Sequence, residues 1–238
     1  MCTVTYIPLQ SNGFILTSNR DEGYSRAQAI APRSYALGSK IIVYPKDPDA
    51  GGTWISTSKK SNTLCLMNGA FERHERTPPY RKSRGLVVLE FYEFNTVEEF
   101  IRNYNFENIE PFTLLVIDSN ENSPIGELRW DGKQVFYANK DRNKFHIWSS
   151  AALYSKEIRL QREQWFSEWL ATQSNFSQEA CVQFHHFAGK GEAQSNLLMN
   201  IENKVMTVSI SSICKNEEEH IFYYKDVKSN HVELLKIN

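Results

Sequence analysis

The first residues alternate, with Thr3, Thr5 and Ile7 on one side of an extended segment and Val4 and Tyr6 on the other, the period-two pattern of a half-buried strand. Asn12-Gly13 marks a tight turn into Phe14-Ile15-Leu16-Thr17, so a hairpin should return residues 18–21, and Asp21 with them, towards residue 2. Further strands are expected at 41–44, 53–57, 63–68 and 112–118, about a hairpin at Asp131-Gly132, and at 205–214, 220–224 and 231–237. Helical patterns cover 83–92 and 96–104, the second with Thr96 as N-cap, and a helix capped by Ser177 runs through Phe187 to Gly189. The clearest helix is 155–172: Ile158, Trp165, Phe166, Trp169 and Leu170 form an apolar stripe, with Lys156, Arg159, Arg162 and Glu163 assigned largely elsewhere. Strands, inserted helices, then strands again predict an α+β fold, a four-layer αββα sandwich of antiparallel sheets carrying helices outside. The chain shows no repeat, linker or low-complexity stretch, so residues 1–238 are expected to form a single domain.

Composition narrows the partners. Apolar residues at 41% and aromatics at 13% can supply one sizeable core in 238 residues. A net charge of −1 and a pI near 6.6 lack the basic footprint of nucleic-acid or anionic-membrane binding. No apolar run reaches the roughly 20 residues of a membrane span, and no secretory signal pattern opens the sequence, so a cytoplasmic location is expected.

The cysteines at 2, 65, 181 and 214 form no CxxC pair and no Cys/His spacing suited to zinc. Cys65, Cys181 and Cys214 read as small buried apolar residues. Cys2 differs, because methionine removal before a small second residue leaves a thiol and an α-amine on one carbon. That amine, with an ordinary pKa of about 7.7–8.0, can accept the thiol proton directly or through one water. Asp21, returned by the hairpin, and Asn68, ending another strand, come from separate segments to join it.

Met1-Cys2-Thr3, the literal Asn19-Arg20-Asp21-Glu22, and Gly51-Gly52-Thr53-Trp54-Ile55 followed by Leu66-Met67-Asn68-Gly69 resemble the NRDE family, also called transport and Golgi organisation 2. The likeness is strongest over residues 1–90 and continues along the chain. It implies a fold of the N-terminal nucleophile type, similar to cysteine enzymes such as penicillin V acylase and bile salt hydrolase that cleave non-peptide amides. By position it implies Cys2 as nucleophile, Asp21 as the carboxylate at its amine or sulfur, and Asn68 as an oxyanion donor. Those hydrolases carry an arginine three residues before the aspartate, where this chain has Ser18. They also carry a second asparagine and a late arginine where this chain has Ser149-Ser150 and Ser209-Ile210. Asn19, Arg20 and Ser150 are the candidates to supply the missing support; Arg20 faces away from Asp21 on a strand unless the backbone bends there.

Two functions follow from the resemblance. One is a cysteine hydrolase or acyltransferase acting on an amide, thioester or ester of a small molecule. The other is non-catalytic binding or handling of a small hydrophobic ligand such as haem, a lipid or acyl-CoA. The Gly51-Gly52 pair suits either close backbone approach or a plain turn, and Trp54 is a candidate substrate contact. The basic stretch of Arg73, His74, Arg76, Arg81, Lys82 and Arg84 is either solvated surface or a receiver for an anionic group, with Arg81 and Arg84 as its candidate contacts. No metal or cofactor is expected; His185 and His186, adjacent on a helix, point about 100° apart and cannot share one ion.

Overall fold

The computed structural model describes residues 3–192, 195–202 and 204–237. Met1 and Cys2 lie outside them. The described chain forms two compact units, one of residues up to Arg26 with Asn143–Ser149 and the chain from Tyr154 onward, the other of Ala27–Arg142 with Ser150–Leu153.

The first unit is built on β1 (Thr3–Pro8), β2 (Phe14–Gly23), β10 (His146–Ser149), β11 (Asn200–Ile201), β12 (Val205–Lys215), β13 (His220–Asp226) and β14 (Val232–Lys236). They pair antiparallel in the order β10-β1-β2-β12-β13-β14, with β11 on β12. The opening hairpin forms as the pattern predicts. Ser11 and Asn12 take φ of 51° and 56° in its turn. Gly13 is required for space, since a Cβ there would lie 2.9 Å from the Lys215 carbonyl oxygen. Thr3 stands opposite both Asn19 and Ser149, and Asp21 opposite Thr207. Between Thr207 and Ser209 the β2–β12 register shifts, so that Arg20 pairs with Ser209. The residue passed over by this shift, Val208, lies on β12, beside the NRDE residues of β2.

Helices α3 (Lys156–Thr172) and α4 (Gln178–Phe187) belong to the same unit. Ser155 and Ser177 cap them, accepting from the amides of Ile158 and Ala180, each cap contributing about 1 kcal/mol. Phe166, Cys181 and Phe184 pack with Ile7, Ile15 and Cys214 of the sheet, and Trp165, Trp169 and Leu170 flank them.

In the second unit β5 (Ile55–Ser56), β6 (Thr63–Asn68), β7 (Phe112–Ile117), β8 (Ile125–Trp130) and β9 (Val135–Lys140) form a five-stranded antiparallel sheet in chain order. A separate hairpin of β3 (Ile30–Leu37) and β4 (Lys40–Lys46) is bridged to it between Val43 and Thr57. Alternate sheet residues Leu64, Leu66, Leu114, Val116 and Leu128 meet Val87, Val88 and Phe91 from α1 (Arg84–Glu90) and its following turn, and Phe100 from α2 (Val97–Asn103). Thr96 caps α2 as expected, accepting from Glu99. The two glycines divide the roles: a Cβ on Gly52 would fall 2.3 Å from the Gly85 carbonyl carbon at the start of α1, while Gly51 has open space around it and takes φ of 73°. Strand β5 keeps only two residues of the expected 53–57, and β3 and β10 were not legible as strands.

Candidate active site

Asp21 is 2% exposed. Sheet pairing sets Thr207 directly across from it, and the Thr207 hydroxyl donates to Asp21 Oδ1 at 2.5 Å. The Tyr154 hydroxyl donates to the other oxygen, Oδ2, and also lies 2.8 Å from the Met199 sulfur. A strand carboxylate with hydroxyl donors on both oxygens is held in one orientation, its burial offset by hydrogen bonds.

The tyrosine ring is in turn fixed by a residue missed in the sequence. Arg162 of α3 is fully buried, its guanidinium carbon 3.7 Å from the centre of the Tyr154 ring. Nη1 donates to the Thr3 hydroxyl at 2.6 Å, Nε to the Ser195 carbonyl at 3.0 Å and Nη2 to the Asn196 carbonyl at 2.7 Å. The expectation that Arg162 lies off the apolar stripe fails for a simple reason. It sits four residues from both Ile158 and Phe166, so helix periodicity places it on the stripe.

Asn19, also fully buried, faces α4. Its Nδ2 donates to the carbonyls of Leu197 at 2.6 Å and His185 at 3.2 Å, which leaves Oδ1 to accept from His185 Nδ1 at 2.6 Å. Burial, and secondarily the Arg162 charge, push the His185 pKa down to about 3. The neutral ring therefore uses Nε2 to accept from the Thr5 hydroxyl at 2.8 Å. Both nitrogens of His185 are occupied within the fold, which gives this histidine a structural role. Arg20, 2% exposed, meets Glu22 at 3.7 Å.

In the second unit, the Ser150 hydroxyl donates to the Asn68 carbonyl at 2.7 Å, bringing those two candidates together. Gly69, with φ of 83°, permits the approach, because a Cβ there would sit 2.7 Å from the Ala152 nitrogen. Trp54 is buried, and its carbonyl accepts from Leu66. The guanidinium of Arg81 donates to the carbonyls of Glu107, at 3.1 Å, and Asn105. That of Arg84 meets the Pro111 carbonyl at 3.1 Å and Glu110 at 3.2 Å. Glu110 also receives His74 and Arg76, each at 3.2 Å. Much of the basic stretch is thus matched to acceptors within its own unit.

Cys2, the proposed nucleophile, lies outside the described residues. Cys65, Cys181 and Cys214 are buried free thiols, and burial pushes the last two up to about 12, so neither is a thiolate at neutral pH.

No curated protein matches the chain by sequence. Its structure is similar to that of a variant conjugated bile acid hydrolase from Clostridium perfringens, with a TM-score of 0.54 and 9% identity, covering 100% of this chain and 93% of that one. It is likewise similar to penicillin V acylase from Agrobacterium tumefaciens, with a TM-score of 0.54 and 10% identity over 99% of this chain and 86% of that one. At such identity the likeness shows the fold alone: the α+β fold of the N-terminal nucleophile hydrolases, with mostly antiparallel sheets. The sequence itself matches the family described as Transport and Golgi organisation 2 over residues 1–225, and the chain belongs to that family, whose NRDE motif stands at Asn19-Arg20-Asp21-Glu22.

Proposed function

We propose that the protein is a cysteine hydrolase or acyltransferase of the N-terminal nucleophile type, acting on a non-peptide amide, or a thioester or ester, of a small molecule. Removal of Met1 frees the α-amine of Cys2. The thiol passes its proton to that amine, directly or through one water, and sulfur attacks the substrate carbonyl carbon. The tetrahedral oxyanion is met by the Asn68 side-chain amide, a donor of a kind typically contributing about 3–4 kcal/mol to lowering the barrier. Collapse breaks the carbon–nitrogen bond, and the leaving amine takes the proton from the α-ammonium. Water, or an acceptor nucleophile, then attacks the thioester, gives its proton to the same amine and returns the thiol.

The observation that carries this reading is Asp21: a buried carboxylate gripped by two hydroxyls on β2, two residues from Asn19, which pairs with Thr3 immediately after Cys2. In this role it orients the α-ammonium by charge and hydrogen bonding. Asn19, Arg20 and Ser150 support the site, while Trp54, Arg81 and Arg84 are candidate substrate contacts, the arginines for an anionic group. No described helix is long and apolar enough to cross a membrane. A cytoplasmic setting, with reduced thiols, suits the chemistry.

A second reading, non-catalytic handling of a small hydrophobic ligand such as haem, a lipid or acyl-CoA, draws on a groove of about 460 Å³ between α3 and α4. Trp165, Trp169, Phe184 and Phe187 line it, and its volume is in the range of small-molecule sites. The two readings separate on one substitution. Hydrolysis of a panel of N-acyl amides and acyl thioesters should be lost in Cys2→Ala while the fold persists. Turnover that survives Cys2→Ala would remove Cys2 as the nucleophile, and a wild-type protein that binds an acyl ligand but cleaves none of the panel would favour the second reading.

A further inference from the structure

We propose that Arg162 is the positioning residue of this site, fixing the Asp21 carboxylate through Tyr154 and the start of β1 through Thr3; the inference rests on the reading of Cys2 as nucleophile. Three features of Arg162 go beyond packing. It occupies an apolar-stripe position where Phe166, one turn on, shows that a hydrophobic side chain fits the helix face. Burying a guanidinium in that position is costly, and an apolar residue would fill it at less expense. Among the described residues its guanidinium meets no carboxylate. The negative charge it reaches is Asp21, through the tyrosine ring and hydroxyl.

The fork geometry explains why arginine rather than lysine stands there. One planar group donates in separate directions to Thr3, Ser195 and Asn196, while its face lies on Tyr154. Tyr154, so clamped, presents its hydroxyl to Asp21 Oδ2, and Thr207 secures Oδ1. Thr3, so clamped, is the residue joined to Cys2 by a single peptide bond. The arrangement sets the carboxylate and the strand start on one rigid frame, and its fixed positive charge favours an anion, such as a thiolate, nearby.

The test is the pH dependence of Cys2 alkylation by iodoacetamide, mapped by peptide mass on the full chain. Buried Cys65, Cys181 and Cys214 compete little at neutral pH. Wild-type Cys2 should react with a midpoint below the ordinary cysteine value of about 8.5. Arg162→Met should raise that midpoint by about one unit and slow labelling at pH 7 roughly tenfold. Arg162→Lys, keeping the charge without the fork, should restore much of the midpoint. Tyr154→Phe, which keeps the ring and cuts its link to Asp21, should move the midpoint by a smaller amount in the same direction.

A folded Arg162→Met protein with the wild-type midpoint overturns the inference and leaves the nucleophile reading standing. Wild-type labelling indistinguishable from free cysteine, unaltered by Arg162→Met, overturns both. A depressed midpoint that rises in Arg162→Met, without turnover of any amide or ester, supports the role of Arg162 and sinks the hydrolase reading. If Arg162→Met does not fold, Tyr154→Phe decides it: an unchanged midpoint there overturns the inference.

Discussion

Arg162 and Arg84 are both charged residues near the start or middle of a helix, yet the units around them use the charge in opposite ways. Arg84 lies in a run of basic residues and reaches Glu110 directly, in company with His74 and Arg76, whose side chain is 71% exposed. Arg162 stands alone in its helix stripe, fully buried, and reaches a carboxylate only through an aromatic ring. The conspicuous cluster thus gathers three cationic side chains on the one carboxylate of Glu110, so that no single cation carries it, while the isolated charge is the one whose removal leaves several buried groups without partners. A single charge at an apolar period marks a constraint.

The sharpest break of that contrast is Arg162→Met. It strips donors from the Ser195 and Asn196 carbonyls and from Thr3, and urea unfolding should show a loss of about 3 kcal/mol. Next, Asp21→Ala leaves the Tyr154 and Thr207 hydroxyls without their acceptor, for about 2 kcal/mol in the same measurement.

His185 gives a pH signature confined to the first unit. Its folded pKa of about 3 lies below the ordinary 6.5, so the unfolded chain takes up a proton that the native state refuses. The stabilisation is complete above pH 6.5 and is lost as pH falls towards 3, by roughly a factor of ten in the folding constant per unit. His185→Gln should flatten that part of the acid limb; an unchanged slope would mean that another group titrates there. The smallest effect should come from Arg76→Gln, whose side chain is 71% exposed, at under about 1 kcal/mol, further reduced by salt. A loss matching that of Arg162→Met would erase the distinction between the two networks.

Local chemistry made much of the fold legible. Asn12-Gly13, Thr96 and Ser177 act through bonds within a few residues, and each turn or cap forms where its residue type requires. The burial of Cys65, Cys181 and Cys214 followed from their apolar neighbours. The four-residue β10 is too short for periodicity to register, and β3 alternates weakly because much of it is exposed. In the candidate site, Asp21 could be found through its motif, but its partners could not. Tyr154 and Thr207 are 133 and 186 residues away and arrive only through packing and sheet register. Arg162 carried a usable signal in its spacing from Ile158 and Phe166, which the usual placement of charge on the solvent face obscures.

The central claim, that Cys2 is an N-terminal nucleophile, is tested most directly by the intact mass of the full chain after brief exposure to a p-nitrophenyl acyl ester. The account predicts a protein lacking Met1 and carrying one acyl group, mapped to Cys2 and absent from Cys2→Ala. A protein that retains Met1 and takes up no acyl group at Cys2 would contradict it.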